Sequence, residues 1–467
     1  MLTIVSPWYG PDTRGGAETQ ARSLAQALHA QGVAVRVWAS TGRDSFSPGD
    51  DQHYPPGDGE LDGIPLWRFR PNASDERGVP HFFRQHPQLL PPLERFTIHE
   101  LRLLGTLLSS DELYAAILRE RAHSRFVFVP YPFPTSFWGS LIAPESSYLL
   151  PCLHDEPYAR YSTYRYMFHQ VRGVLANSHA EAELARQLYN LPAERVCVAG
   201  EGIDLTPRGD GDAFRQKLPF LTGDPSALLR AGRRRETRVD SLQYSVGSLQ
   251  RNDHEVSTAN PSTSLRAGCQ LPTVSESPTP YLLFYAGRRD ESKNIPLLVS
   301  YVREYWARRG TPLLLLLAGQ GKPDFGFGIA DFGLADNTIR NPKSKIQNVI
   351  DLGFLDEQTK HDAYAAADLF VQPSLHESFS IVLMEAWLQG TPALVHGDCA
   401  VTADHARRSG GGLAFRSFGE FAAALDLLLP RPELRQELGA RGQAYVLDTC
   451  RWDEVARKTA AFVLGEG

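Results

Sequence analysis

Several things are scarce in this sequence, and each scarcity removes a class of protein. Cysteine occurs five times in 467 residues. The number is odd, and no two lie close enough for a CxxC pair. Cys152, Cys197, Cys269, Cys399 and Cys450 therefore read as reduced thiols, not as a disulfide framework or zinc ligands. No apolar run approaches the ~18 residues of a membrane span; the densest, Leu313 to Leu317, is strand-sized. The first residues, Met1 to Pro7, lack a basic region and a cleavage site, so no signal peptide is expected and a cytoplasmic setting is. Nor is there an excess of positive charge. The formal net charge is -6, with both signs scattered along the chain, which suits no nucleic-acid binder.

What remains is ordinary globular composition, 42% hydrophobic and 22% charged, at a length that suggests more than one domain. Short apolar strands alternate with helical stretches in two segments. The first places strands at Leu2 to Val5, Val33 to Trp38, Phe126 to Val129, Val174 to Ala176 and Val196 to Val198, with helices at Ala17 to Ala30 and Ala180 to Tyr189. The second places strands at Leu282 to Ala286, Leu313 to Leu317, Val349 to Leu352, Leu369 to Gln372 and Ala393 to Val395. Helices Ile295 to Arg309, Thr359 to Ala366 and Ile381 to Leu388 fall between them. Near-continuous apolar strands with intervening helices predict parallel sheets covered on both faces. The fold class is α/β, with two doubly wound parallel-sheet domains, 1–205 and 281–467.

Two stretches interrupt this rhythm. Residues 206–280 form a linker with an insertion rich in Ser, Thr, Arg, Gly and Pro and without a period. The part from Gly211 to Ser275 reads as removable without loss of folding. Its Arg233-Arg234-Arg235 cluster is read as a solvated charge run in preference to a nucleic-acid or membrane patch. A second insertion, 324–347, repeats Asp-Phe-Gly at 324 and 331. No glycine-rich loop, strand lysine or His-Arg-Asp loop accompanies it, so a kinase reading fails.

The most specific signal is Glu377-Ser378-Phe379-Ser380-Ile381-Val382-Leu383-Met384-Glu385. Two carboxylates bracket a helix start, about 12 Å apart if the eight residues are helical. That suits a ligand reaching from a ribose to a hexose, with its diphosphate at the helix N-terminus. Two solvated surface glutamates are the alternative. Upstream, the strand Leu282 to Ala286 runs into Gly287-Arg288-Arg289-Asp290-Glu291-Ser292-Lys293-Asn294. Arg288 and Lys293 leave the carboxyl end of a strand, where open α/β sheets bind ligands, and their charges suit a diphosphate. The loop Arg14-Gly15-Gly16-Ala17-Glu18 permits close approach of an anion or sugar, but it is not a dinucleotide fingerprint. His154-Asp155, Asn177-Ser178 and Glu201-Gly202-Ile203-Asp204 close the first half; an imidazole at a strand end, His154, can bond a sugar hydroxyl or handle a proton.

Taken in order, these motifs resemble glycosyltransferase family 4, retaining enzymes of the GT-B fold. The resemblance runs from Gly15 to Glu18 through His154-Asp155, Asn177-Ser178, Gly202 to Asp204, Gly287 to Asn294 and Ala318 to Gly321 to the pair Glu377 and Glu385. It implies transfer of a hexose from a nucleotide-diphosphate sugar to a glycan, lipid-linked or small-molecule acceptor. It implies that Arg288 and Lys293, beside Gly287, hold the diphosphate and that Glu385 holds the ribose. Glu377 and the amides of Phe379 and Ser380 would hold the sugar and distal phosphate, and Gly16 with Gly15 would face them from the other domain. His154 would meet the sugar near the reacting carbon, and Gly353 and Phe354 would flank the base. No metal or other cofactor is required on this reading. The family often has Gly where Ser380 stands, and Glu near the position of Asp404. Acceptor choice is expected in loops of the first half, including Pro80 to Arg95. A catalytically impaired sugar-nucleotide binder and a GT-B epimerase are the alternatives, and peripheral docking on the inner membrane face stays open.

Overall fold

The computed structural model describes residues 1–13, 15–44, 52–73, 78–218, 279–289, 291–319, 321, 330–331 and 348–465. The Arg233 cluster, Cys269 and nearly all of 324–347 lie outside the described residues.

The strands form two sheets. In the first half they are β1 (Leu2–Val5), β2 (Val35–Ser40), β3 (Gly57–Leu61), β4 (Ile64–Phe69), β5 (Arg125–Phe128), β6 (Ser147–Leu149), β7 (Gly173–Ala176) and β8 (Val196–Val198). They are ordered β3-β4-β2-β1-β5-β6-β7-β8, all parallel except the β3–β4 hairpin. The second sheet holds β9 (Tyr281–Ala286), β10 (Leu313–Ala318), β11 (Ala330–Asp331), β12 (Val349–Gly353), β13 (Leu369–Gln372), β14 (Ala393–His396) and β15 (Gly412–Phe415). Their order is β11-β12-β10-β9-β13-β14-β15. All its pairings are parallel. The expected strands are present with ends moved by a residue or two. The expected α/β class with two parallel-sheet units is therefore what the chain adopts.

The inner strands of each sheet are buried on both faces, which is why they carry few polar residues, whereas the edge strand β3 is largely exposed. In the second sheet Leu282, Phe284, Leu314 and Leu316 point to one face and Leu283, Tyr285, Leu315 and Leu317 to the other, each joining a different apolar cluster. Alternation along a strand divides the core in two.

Two features depart from the expected division. The segment after the first sheet does not leave the fold at 206. Residues Gly211–Gln216 form a short helix, and Phe214 and Leu218 are 3% and 0% exposed within the second half's core. Removal from Gly211 onward would strip those side chains, so that expectation is corrected. Phe214→Ala should cost about 3–5 kcal/mol, read as a lowered unfolding midpoint.

The last helix, Trp452–Leu464, departs in the other direction. Its Val455, Ala456, Ala460 and Val463 pack with Leu2, Ile4 and Leu28 in the first half. The chain therefore changes halves twice, and the two passages touch: the Ile203 N–H donates to the Cys450 carbonyl at 3.1 Å. A Cβ on Gly202 would lie 2.5 Å from the Trp452 ring, so only glycine fits under that indole.

Among the described residues no helix is long and apolar enough to cross a membrane.

Candidate active site

In the second sheet the order reverses between β9 and β13: β10 lies on the far side of one, β14 on the far side of the other. Ligands in open α/β sheets bind at the carboxyl ends flanking such a point. Both principal motifs leave from there, one after Ala286 and the other after Gln372.

The loop after β9 turns at Gly287, whose φ is +145°. Gly319, after β10, has φ +131°, and a Cβ on it would lie 1.8 Å from the Gly287 carbonyl oxygen. The Ala318-Gly319 motif thus exists so that two loop backbones can touch. The two adjacent arginines then part company. Arg289 is buried and bound through both terminal nitrogens to the carboxylate of Asp351, with Leu317 O also accepting at 3.3 Å. Arg288 is exposed and lines a cavity of about 320 Å³. Arg289 holds the loop, and Arg288 faces the open space.

Lys293 closes the turn before the helix Ile295–Arg309. Its ammonium lies 2.7 Å from Glu377 Oε1, with both side chains 13% exposed. Gln372, at the end of β13, donates to the same oxygen at 2.9 Å and accepts from the Ser380 hydroxyl at 2.8 Å. This fully buried glutamine fixes Glu377 and the helix start together, and its polarity inside a strand was the only trace of it in the sequence.

Ser380 is the residue before the helix Ile381–Leu388, with φ +78°. That left-handed conformation costs a non-glycine residue of the order of 1 kcal/mol or more, a cost glycine would not carry. Its hydroxyl is turned to Gln372, and no side chain caps the helix. The first amides therefore remain outside the intrahelical ladder, a ready anion site. The Phe379 ring is buried edge-on against His405, with centroids 5.3 Å apart, so only its backbone can serve a ligand.

Glu385 stands on the second turn, 9% exposed. Its oxygens are engaged, Oε1 by Lys360 Nζ at 2.9 Å and Oε2 by the Tyr364 hydroxyl at 3.0 Å. Burial, followed by the Glu385 charge, holds the Tyr364 phenol well above its ordinary range, so it stays a donor. The cavity beside Arg288 is lined by Gly287, Gly319, Phe354, Glu357, Lys360 and Val382, and Glu385 is not on its wall. Gly353 has φ +69° and its N–H donates to Asp351 at 2.8 Å, leaving Phe354 69% exposed at the cavity. Glu357, His361 and Glu385 offer ligand atoms within 4.8 Å of one another. The Lys360 ammonium lies 2.9 Å from both of those carboxylates.

A larger cavity, about 840 Å³, lies between the halves. His154 and Asp155 contribute from the first half, and His376, Glu377, Asp398 and Asp404 from the second. Asp404 is paired with Arg407 and, at 2.7 Å, with Arg408. The His154 Nδ1 is 3.8 Å from Glu156 Oε1. The neighbouring His154 comes first among the influences that hold the Glu156 carboxyl below its usual range, and His376 and Lys293 act on it across the cleft. The opposite holds for Glu18. Burial pushes it up to about 7, while Arg288 of the other half pulls it down. A Cβ on Gly15, whose φ is +144°, would lie 2.0 Å from Glu18 Oε2, whereas one on Gly16 would meet open space. Gly15 thus lies beside the carboxyl that senses Arg288.

Behind His154 the fully buried Glu181 accepts from the amides of Leu153 and Asn177, each at 2.5 Å. Burial pushes its carboxyl up to about 8 against the opposing effect of those amides. Between about pH 4.5 and 8 the folded state therefore keeps a proton that the unfolded chain releases. The resulting stability is full below that window and lost as pH rises through it. The thermal midpoint should fall between about pH 5 and about pH 8.5, and Glu181→Gln should flatten that part of the fall.

The arrangement is thus a nucleoside-sized cavity, an uncapped helix tip with two cations beside it, and a larger polar cavity. Glu377, Lys293, Arg288 and Ser380 come together around the tip. Glu385 sits one layer behind, and His154 lines the larger cavity from the opposite half, while Gly15 and Gly16 are on the wall of neither cavity.

Comparison with known proteins agrees with this geometry. The family model "Glycosyltransferase Family 4" matches residues 14–207 and "Glycosyl transferases group 1" matches residues 272–445. D-inositol 3-phosphate glycosyltransferase 2 of Catenulispora acidiphila is 29% identical over 221 residues, 44% of this chain and 49% of that protein. D-inositol 3-phosphate glycosyltransferase of Nocardia farcinica is 24% identical over 297 residues, 62% of this chain and 52% of that one. The chain thus spans about half the length of the curated relatives it matches. Among solved structures, sucrose-phosphate synthase from Thermosynechococcus elongatus superposes with a TM-score of 0.60 at 16% identity, covering 99% of this chain and 98% of that one. Anabaena HepE in complex with UDP-glucose gives 0.58 at 14% identity, covering both chains fully. At such identities these two show the GT-B fold alone. With both halves matched by the paired family models and the fold agreeing throughout, the chain belongs to glycosyltransferase family 4, the group 1 glycosyl transferases.

Proposed function

We propose that the protein transfers a hexose from a nucleotide-diphosphate sugar to a hydroxyl acceptor, with retention at the anomeric carbon. The observation that carries this reading is the position of one helix tip between two cavities. Val382 lines the smaller cavity and Glu377 the larger, so the N-terminus of Ile381–Leu388 lies between them. A donor laid across it puts its nucleoside beside Phe354 and Lys360 and its diphosphate on the amides. Its sugar then reaches Glu377 and His154.

The chemistry asked of the chain is positioning and charge stabilisation. As the bond from the anomeric carbon to the distal phosphate oxygen breaks, negative charge gathers on the diphosphate. Arg288, Lys293 and the helix amides meet that charge without a bound metal. Glu377, fixed by Lys293 and Gln372, accepts from sugar hydroxyls. On this course the acceptor attacks from the side the phosphate leaves, and the departing phosphate takes its proton. No side chain need act as a nucleophile.

The test begins with thermal shift against uridine, guanosine and adenosine diphosphate sugars. Uridine diphosphate sugars come first, because HepE is a relative in fold complexed with UDP-glucose. Polyol phosphates come first among acceptors, after the names of the curated relatives. Release of nucleoside diphosphate together with a glycosylated acceptor supports the reading. Donor binding without product indicates a sugar-nucleotide binder, and an altered free sugar without acceptor indicates an epimerase.

A further inference from the structure

Beside the larger cavity one carboxylate is left with its bonding unfinished. Glu156 stands two residues after His154, and its amide donates to the His154 carbonyl at 2.9 Å, so the two side chains share one tight turn. Glu156 Oε1 is 3.8 Å from His154 Nδ1, an ion-pair distance longer than a hydrogen bond. Oε2 is buried and without a hydrogen-bond partner among the described residues. The side chain is 21% exposed, and that of His154, which lines the cavity, is 29% exposed.

A carboxylate this far out of water is stabilised by donors, and a buried oxygen without one costs about 1–3 kcal/mol. Two donors compete for it. The Tyr131 hydroxyl is buried and likewise lacks a partner among the described residues. His154 is the other, and it already faces Oε1, where a small rotation of the ring closes the gap. It also comes first among the influences that lower the Glu156 carboxyl. A neutral imidazole has a single N–H, so the nitrogen that donates to a carboxylate leaves the other one bare.

We infer that Glu156 is a positioning residue for the transfer reaction: its carboxylate accepts the Nδ1–H of His154 and so presents Nε2 to the donor sugar as an acceptor. A hydroxyl of the sugar then donates to His154, and the ring cannot turn over without breaking its bond to Glu156. This rests on the donor reading above, which brings the sugar to His154. Lys293 and His376 of the second half act on the same carboxylate across the cleft, so attraction between the halves is the competing role for its charge.

The experiment pairs nitrogen-15 spectra of the histidine-labelled full chain with steady-state kinetics, the His154 ring being assigned through His154→Gln. Above about pH 8, where imidazoles are ordinarily uncharged, unaltered protein should carry the His154 proton on Nδ1. Glu156→Leu should return the ring to the Nε2–H form that free histidine favours. It should also lower kcat by about tenfold or more, with the KM for donor changed by less than about threefold. Glu156→Gln keeps an acceptor oxygen without the charge, so it should restore the Nδ1–H form and most of kcat. It also keeps the inference testable should Glu156→Leu fail to fold. A loss in Glu156→Gln equal to that in Glu156→Leu would assign the effect to charge across the cleft and overturn the inference. An Nε2–H ring in unaltered, active protein overturns it as well, and leaves the donor reading standing. Absence of transfer by the unaltered protein overturns the donor reading and this inference with it.

Discussion

Lys293→Ala lowers kcat by about 10²–10³-fold, with a smaller change in KM. The lysine has two attachments to the expected chemistry. Its charge lies at the helix tip, where the departing diphosphate becomes more negative, and an interaction that strengthens in the transition state is lost from kcat first. It also neutralises Glu377 at 2.7 Å in a partly buried setting. Removing it leaves that carboxylate held only by Gln372 on the same oxygen. Single-turnover kinetics with saturating donor check the result, and a kcat within about threefold of the unaltered protein would mean that Lys293 only supports the fold. Lys293→Arg separates the two contributions, since it keeps the charge but changes the geometry toward Glu377.

Glu385→Ala weakens donor binding by about 10–100-fold and lowers stability as well. In the ligand-free protein this carboxylate already satisfies Lys360 and Tyr364. Its loss leaves a buried phenol without its acceptor and releases the ammonium to Glu357 alone. The two effects are read separately, donor affinity by calorimetry and stability by thermal unfolding. Glu385→Gln should recover most of the stability, because the amide oxygen can still accept from Tyr364 or Lys360. Unchanged donor affinity in a folded Glu385→Ala protein would remove this residue from the nucleoside site.

Much of this architecture could be read from the sequence because buried parallel strands leave a plain mark. Runs such as Leu282 to Ala286 and Leu313 to Leu317 have no polar face to offer water, and the glycines and charges that end them locate the loops. The same logic grouped Arg288, Lys293, Glu377 and Glu385; Lys293 and Glu377 touch, and Glu385 lies a layer behind them. The hairpin β3–β4 left no such mark. Its first strand, Gly57–Leu61, lies at the sheet edge, largely exposed and without an apolar run. The return of the last helix to the first half was equally hidden. An amphipathic helix shows that it packs, but not against what. Gln372 and Lys360 are single polar residues whose meaning comes from partners 5 to 25 positions away, at Glu377 and Glu385. The division of labour between Arg288 and Arg289 depends on Asp351, on a strand two places from β9 in the sheet.

The double passage near Ile203 and Cys450 limits how the two halves can move. Two units joined by one strand of chain may swing, twist and slide. Joined by two adjoining strands, they keep essentially one freedom, rotation about the line through the junction. Opening of the cleft then becomes a single angle, and groups on the two walls approach along the arc that angle describes. Because the helix Trp452–Leu464 is part of the first half's interior, that half is completed only after those residues have been made.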